Sequence, residues 1–162
     1  MHGVARLVRY AYLSLGTNLG HRKAHLESAI PLVVESDPYR LSKVYETEPV
    51  GGVVQDDFWN MVVEIATDAS ARELLERARR AEAAANRIRD VHWGPRTLDV
   101  DVLLVGDEVS DDPEILVPQP RLFERAFVLV PLHELAPALV SEAQLAAGVG
   151  SVKELGTLSL LR

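Results

Sequence analysis

The sequence predicts an α+β fold, and three observations carry that prediction. Three stretches sort their side chains onto two faces with the two-residue period of a strand, and a fourth, about 41–47, reads as a strand beside them. Two stretches between them repeat apolar residues at helical spacing. The order along the chain is strand, helix, strand, strand, helix, strand. With 162 residues the chain is long enough to bury a real core. Residues 1–162 read as one domain, because no repeat, low-complexity tract or linker divides them.

Residues 7–15 give the first strand, with Ala11, Leu13 and Leu15 on one face and Tyr10, Tyr12 and Ser14 on the other. Gly16-Thr17-Asn18-Leu19-Gly20 reads as a loop. A helix follows, with Leu26, Ala29, Ile30, Val33 and Val34 on one side. Pro31 lies inside that pattern; it removes one hydrogen bond and crowds the carbonyl of Glu27, so a kink or an early end is expected. The second strand covers about 41–47. The third runs from Phe58 to Thr67, with Met61, Val63 and Ile65 facing one way and Phe58, Asn60, Val62 and Glu64 the other. Ser70-Ala71-Arg72-Glu73 has the form of a capping box. It opens a helix to about Asn86, with Leu74, Leu75, Ala78 and Ala81 inward. The fourth strand is Thr97 to Val105. This order is the ferredoxin-like βαββαβ core, an antiparallel sheet with helices packed on it. From Glu108 on, short strand and helix pieces are expected around Pro118, Pro120 and Pro131.

The fourth strand carries the first functional signal. Asp99 and Asp101 are two apart, so they share a face, which should continue into Leu103 and Val105. Just upstream stand Arg87, Arg89 and Trp93-Gly94-Pro95-Arg96. Acids able to hold Mg²⁺ beside several arginines are the parts that handle a polyphosphate. Asn60 is a second signal, because strands disfavour asparagine and a buried one needs partners. The formal net charge of −7 argues against a nucleic-acid binder. The chain has no cysteine, so it has no disulfide, thiolate nucleophile or cysteine-ligated zinc. No apolar run would span a bilayer, and Arg9 breaks the apolar start before it can form a leader; a cytoplasmic setting is expected. The sequence has no Gly-x-x-x-x-Gly-Lys-Ser/Thr cradle, no Gly-x-Ser-x-Gly elbow and no His-Glu-x-x-His. His21, His25, His92 and His133 lack ligand-like spacing.

The run Arg87-Ile88-Arg89, followed by Trp93-Gly94-Pro95-Arg96-Thr97-Leu98-Asp99-Val100-Asp101, closely resembles the signature of the hydroxymethyldihydropterin pyrophosphokinases of folate biosynthesis. The resemblance covers nearly the whole chain. Leu13 to Gly20, Tyr45-Glu46-Thr47-Glu48-Pro49-Val50-Gly51, Phe58-Trp59-Asn60 and Ala126-Phe127-Val128-Leu129-Val130-Pro131-Leu132 also fit. It implies transfer of the terminal diphosphate of ATP to the hydroxymethyl group of a reduced pterin, with AMP leaving and two Mg²⁺ ions taking part. It implies that Asp99 and Asp101 hold the metal and that Arg87 and Arg96 contact the phosphates. Arg89 and Trp93 would belong to a loop that closes over ATP. Asn60 would read the pterin edge, Phe58 and Phe127 would sandwich its ring, and groups near Thr47, Pro49 and Val50 would complete the pocket. Glu82 and Arg125 fall on the nucleotide side. Gln119, in Pro118-Gln119-Pro120, stands where the family usually has an ATP-binding histidine. That departure is the one feature favouring an alternative, a non-catalytic pterin-binding or small-ligand module with impaired ATP binding. The expected partners are ATP and hydroxymethyldihydropterin, with no nucleic acid and no membrane, and the expected state is a monomer.

Overall fold

The structure, a computed structural model, describes residues 6–48, 57–86 and 97–162. Six strands form one antiparallel sheet: β1 (Arg9–Thr17), β2 (Tyr39–Leu41), β3 (Val44–Thr47), β4 (Phe58–Thr67), β5 (Asp99–Val105) and β6 (Lys153–Gly156). The spatial order is β5-β1-β4-β3-β6, with β2 also on β4. Helices α1 (Arg22–Val34) and α2 (Ala71–Asn86) follow β1 and β4, as the helical spacing predicts. The expected ferredoxin-like α+β core is present.

Strand alternation sorts the core into two layers. Leu13, Leu15, Met61, Val63 and Ile65 pack with Leu26, Val33 and Leu74 of α1 and α2. Tyr12, Val62 and Leu103 face the other way, against Leu129 and Leu132 of a third helix, α3 (Ala126–Leu135). The C-terminal additions are therefore more than short pieces: α3 covers the second sheet face. A short α4 (Glu142–Ala147) and the edge strand β6 follow.

Four expectations need correction. The first strand does not stop at 15, because Gly16 and Thr17 continue the ladder to Asn60 and Trp59. Of the kink or early end expected at Pro31, the early end does not occur, because helix α1 runs on to Val34. Its C-terminal carbonyls at Val33 and Val34 accept from the buried Arg77 guanidinium of α2, a cation placed where a helix dipole favours one. The second strand is split: Leu41 pairs with Val63 and Tyr45 with Asn60, so four steps on the edge match three on β4. The Ser42 hydroxyl takes the Val62 N–H within this bulge, so no ladder donor on β4 is orphaned there. Lastly, Val105 does not share the face of Asp99 and Asp101. Tyr12 pairs with Leu104 and Leu13 with Val102, and this one-residue bulge turns Val105 into the α1/α2 layer. At α2 the Ser70 hydroxyl accepts from the Glu73 N–H, half of the predicted box; the Glu73 carboxylate is taken by Arg6.

Candidate active site

The sheet register assembles the site. Gly16 of β1 pairs with Asn60 on one side and Asp99 on the other, and Asn60 pairs in turn with Tyr45. One row thus crosses four strands as Tyr45, Asn60, Gly16, Asp99. Neighbouring strands lie about 4.8 Å apart, so Asn60 and Asp99 stand roughly 10 Å apart with a residue that has no side chain between them. Asp101 lies two residues further along the same face, paired with Ser14. The β3 bulge brings Thr47 onto this face opposite Phe58.

Above this end of the sheet, the start of α3 and the segment after α4 close a cleft of about 1040 Å³. Its walls include Thr47, Phe58, Asn60, Asp99, Asp101, Arg125 and Phe127, so seven of the predicted site residues meet in one place. The segment after α4 is held there by backbone bonds from Ala126 N–H to Val149 O (3.0 Å) and from Val149 N–H to Glu124 O (2.8 Å).

The cleft has two ends of different chemistry. At one end the Asn60 Nδ2 donates to the Thr47 Oγ1 at 2.9 Å. Asn60 is 6% exposed, so a polar side chain that strands disfavour is buried with a partner. Phe127 lies half-buried nearby, and the Arg125 guanidinium covers one face of its ring at 5.6 Å from the centroid. At the other end Asp99 and Asp101 are both exposed to the cleft. Among the described residues no group of three acids, histidines or cysteines forms a metal cage. Two carboxylates fit Mg²⁺, which keeps several waters and shares phosphate oxygens, better than they fit an ion needing a full protein shell.

Two further predicted residues stand outside the cleft walls. Glu82 accepts from the Val100 N–H at 3.1 Å, covering β5 from α2. Gln119 bonds back to its own turn: its Oε1 accepts from the Arg121 N–H at 2.8 Å, and its N–H donates to Leu103 O. Arg87, Arg89, Trp93, Arg96, Pro49 and Val50 lie outside the described residues.

Sequence reasoning missed several participants. Gly16 and Ser14 form the floor, and Arg121 and Phe123 line the rim. A glycine in a strand marks close approach of another group, and that signal was available. Also missed are two carboxylate–tyrosine pairs: Tyr45–Glu134, partly buried, which joins the sheet to α3, and Tyr12–Glu64, buried within the sheet. The Tyr45 hydroxyl donates to Glu134, which also accepts from the Lys43 N–H. Burial, reinforced by that carboxylate, pushes the Tyr45 phenol up. Deeper in, Glu64 accepts from Arg40 Nε at 2.7 Å and from the Tyr12 hydroxyl at 2.7 Å, while Arg40 also reaches Leu135 O at the end of α3. The Arg40 guanidinium holds the Glu64 carboxyl below the usual glutamate range, against the opposing effect of burial.

The family described as 7,8-dihydro-6-hydroxymethylpterin-pyrophosphokinase has a model that matches residues 12–137, more than three quarters of the chain. A 2-amino-4-hydroxy-6-hydroxymethyldihydropteridine pyrophosphokinase of Bacillus subtilis is 43% identical over 136 residues, covering 82% of this chain and 81% of that one. A protein of the same name from Methylorubrum extorquens is 43% identical over 134 residues, 80% of this chain and 84% of its own. The Bifunctional protein FolKE of Lactococcus lactis subsp. cremoris is 42% identical over 127 residues, 76% of this chain and 36% of its own length. Among solved structures, an aminobenzoyl-glutamate utilization protein from Klebsiella pneumoniae matches over 90% of this chain and 37% of its own, with 13% identity and a TM-score of 0.34.

Proposed function

This chain belongs to the 7,8-dihydro-6-hydroxymethylpterin pyrophosphokinase family, and from that premise we propose how its cleft serves the reaction. The enzyme is a pyrophosphokinase of folate biosynthesis. In our reading the hydroxymethyl oxygen of 6-hydroxymethyl-7,8-dihydropterin bonds to the β-phosphorus of ATP, the bridge to the α-phosphate breaks, and AMP leaves.

One observation carries the assignment of roles: the Asn60–Thr47 pair and Phe127 share a single cleft with Asp99 and Asp101, on opposite sides of Gly16. The pterin ring lies at the Asn60 end. Its polar edge meets the Asn60 amide, and its π-face lies against the Phe127 ring, with Phe58 on the other side. Backbone groups near Thr47, Pro49 and Val50 finish this pocket. That placement sends the hydroxymethyl arm across bare Gly16 toward Asp99.

The nucleotide takes the Asp99 and Asp101 end; Arg125, stacked on Phe127, and Arg121 line the same cleft and are read as serving its phosphates. Arg87, Arg89, Trp93 and Arg96 complete the ATP side in this reading, and Glu82 and Gln119 act on it from behind the walls. Asp99 and Asp101 would hold two Mg²⁺ ions, which supply charge neutralisation on the phosphate oxygens. Holding both substrates in line lowers the entropic part of the barrier. A single-domain, monomeric and cytoplasmic enzyme is part of the same proposal.

The test is product identity. MgATP and the hydroxymethylpterin substrate, mixed with the protein, should give AMP and pterin diphosphate in equal amounts. ADP in place of AMP, or AMP formed without the pterin, would refute diphosphate transfer.

A further inference from the structure

Gly16 touches the side chain on which pterin recognition is placed. A Cβ added at Gly16 would stand 2.8 Å from the Asn60 Oδ1, while the next nearest atoms, Asn60 Cγ and Trp59 O, are at 3.9 and 4.0 Å. The space beside Gly16 is thus closed by one atom, the amide oxygen of Asn60. That oxygen cannot swing aside freely. Asn60 is buried, and its Nδ2 is tied to the Thr47 hydroxyl at 2.9 Å on the far side. The amide plane is clamped between a bare Cα and a hydroxyl. Glycine weakens a strand interior, so its presence in the paired part of β1 is explained by close approach and not by strand stability.

We propose that Gly16 and Thr47 are a pair of positioning residues that fix the amide plane of Asn60, and so determine which fused heteroaromatic ring edge the cleft accepts. The inference rests on the placement of the pterin at Asn60 given above. Gly16 acts through Asn60 and touches no reacting atom. Its bare Cα lets the amide lie flat against the floor, with Thr47 Oγ1 setting the rotation. Any side chain at 16 turns the amide, breaks the Thr47 bond and misaligns the donor and acceptor that the ring edge must meet. The nucleotide end of the cleft does not sense the change, because the three atoms nearest an added Cβ belong to Asn60 and Trp59.

Four proteins test this: wild type, Gly16→Ala, Asn60→Ala and the double variant. Each is titrated with oxidised 6-hydroxymethylpterin and, separately, with a non-hydrolysable MgATP analogue. Gly16→Ala should weaken the pterin by about tenfold or more, the factor one lost hydrogen bond carries, and leave the ATP analogue unchanged. In the Asn60→Ala background, Gly16→Ala should add no further loss, because the blocking atom is gone. An equal loss in both backgrounds would overturn the proposal, as would full pterin affinity in Gly16→Ala while Asn60→Ala is impaired. If Asn60→Ala itself keeps full pterin affinity, the ring site lies elsewhere, and both readings fall. Should Gly16→Ala not fold, Thr47 decides. Thr47→Val, which keeps the shape but loses the acceptor, should weaken the pterin alone, and Thr47→Ser should restore it. Equal affinity in the valine and serine variants would overturn the clamp.

Discussion

The Tyr45 hydroxyl donates to the carboxylate of Glu134, and that bond ties the strand beside Asn60 to the helix that carries Phe127. Phe127 and Glu134 are seven residues apart on α3, two turns, and so lie on one side of the helix. The width of the slot between Phe127 and the sheet is therefore set partly by a contact at the far end of α3.

Removing that contact should loosen the slot. Glu134→Ala removes the acceptor of the partly buried Tyr45 hydroxyl, a loss of about 1 kcal/mol. We expect lower unfolding stability in urea, a higher KM for the pterin and an unchanged KM for ATP. Glu134→Gln keeps an acceptor and should recover most of both losses. Equal effects on the two substrates would show that α3 is not seated by this bond.

Asp99→Ala and Asp101→Ala should each lower turnover by at least about 10²-fold, the scale of losing a preorganised electrostatic element. Folding should survive, because both carboxylates are exposed and contribute little to the core. Steady-state AMP formation, with circular dichroism as the folding control, checks this. Near-normal turnover in either variant would remove the metal assignment.

Phe127→Ala should weaken pterin binding more than ATP binding. It removes a ring face worth about 1 kcal/mol beyond buried area, and it frees the Arg125 guanidinium now stacked on that ring. Titration of each ligand alone separates the two effects. A variant that binds the pterin normally but ATP poorly would reverse the two ends of the cleft.

Gln119 gives a milder expectation. Its side chain holds the turn that leads to Arg121 at the rim. Gln119→Ala gives up one hydrogen bond, about 1 kcal/mol. A few-fold rise in KM for ATP is expected, with no change for the pterin. Loss confined to the pterin would show that this turn serves the other substrate.

Glu64 makes stability depend on acid. Its folded pKa is depressed, by Arg40 first and Tyr12 next. The unfolded carboxyl protonates first, near its usual value of about 4.3. The contribution is therefore full above that pH and lost as pH falls through the lower folded value. Arg40 is largely exposed, so screening keeps the effect small. The stability gap between wild type and Glu64→Gln in urea should be widest near neutrality and close at acid pH. A gap that widens on acidification would contradict the sign.

How much was legible follows from which signals are local. Period alone placed Met61, Val63 and Ile65 against the helices, and put Phe58 with Asn60 on the opposite face. The bulge that turns Val105 away from Asp101 leaves no mark in residue type, because apolar residues fill both layers there. Helix α3 reads poorly for a related reason. Ala126 to Leu135 is apolar almost all round and contains Pro131, so no single face stands out. The closure of the cleft by Val149 depends on pairing with a residue 24 positions earlier, Arg125, and no window of sequence contains that contact. Gly16 was readable, but taking it as loop hid its place in the paired strand.

The central claim is that the pterin sits on the sheet floor between β3 and α3. The direct measurement is an amide chemical-shift map of the ¹⁵N-labelled protein during titration with 6-hydroxymethylpterin. The largest shifts are expected at Ser14, Gly16, Asn60 and Phe127, with the Asn60 side-chain amide moving as well. The competing cavity, of about 450 Å³, is lined by His21, Arg22, Lys23, Trp59 and Arg162 at the start of α1. Shifts centred there, with Gly16 and Phe127 unmoved, would contradict the account.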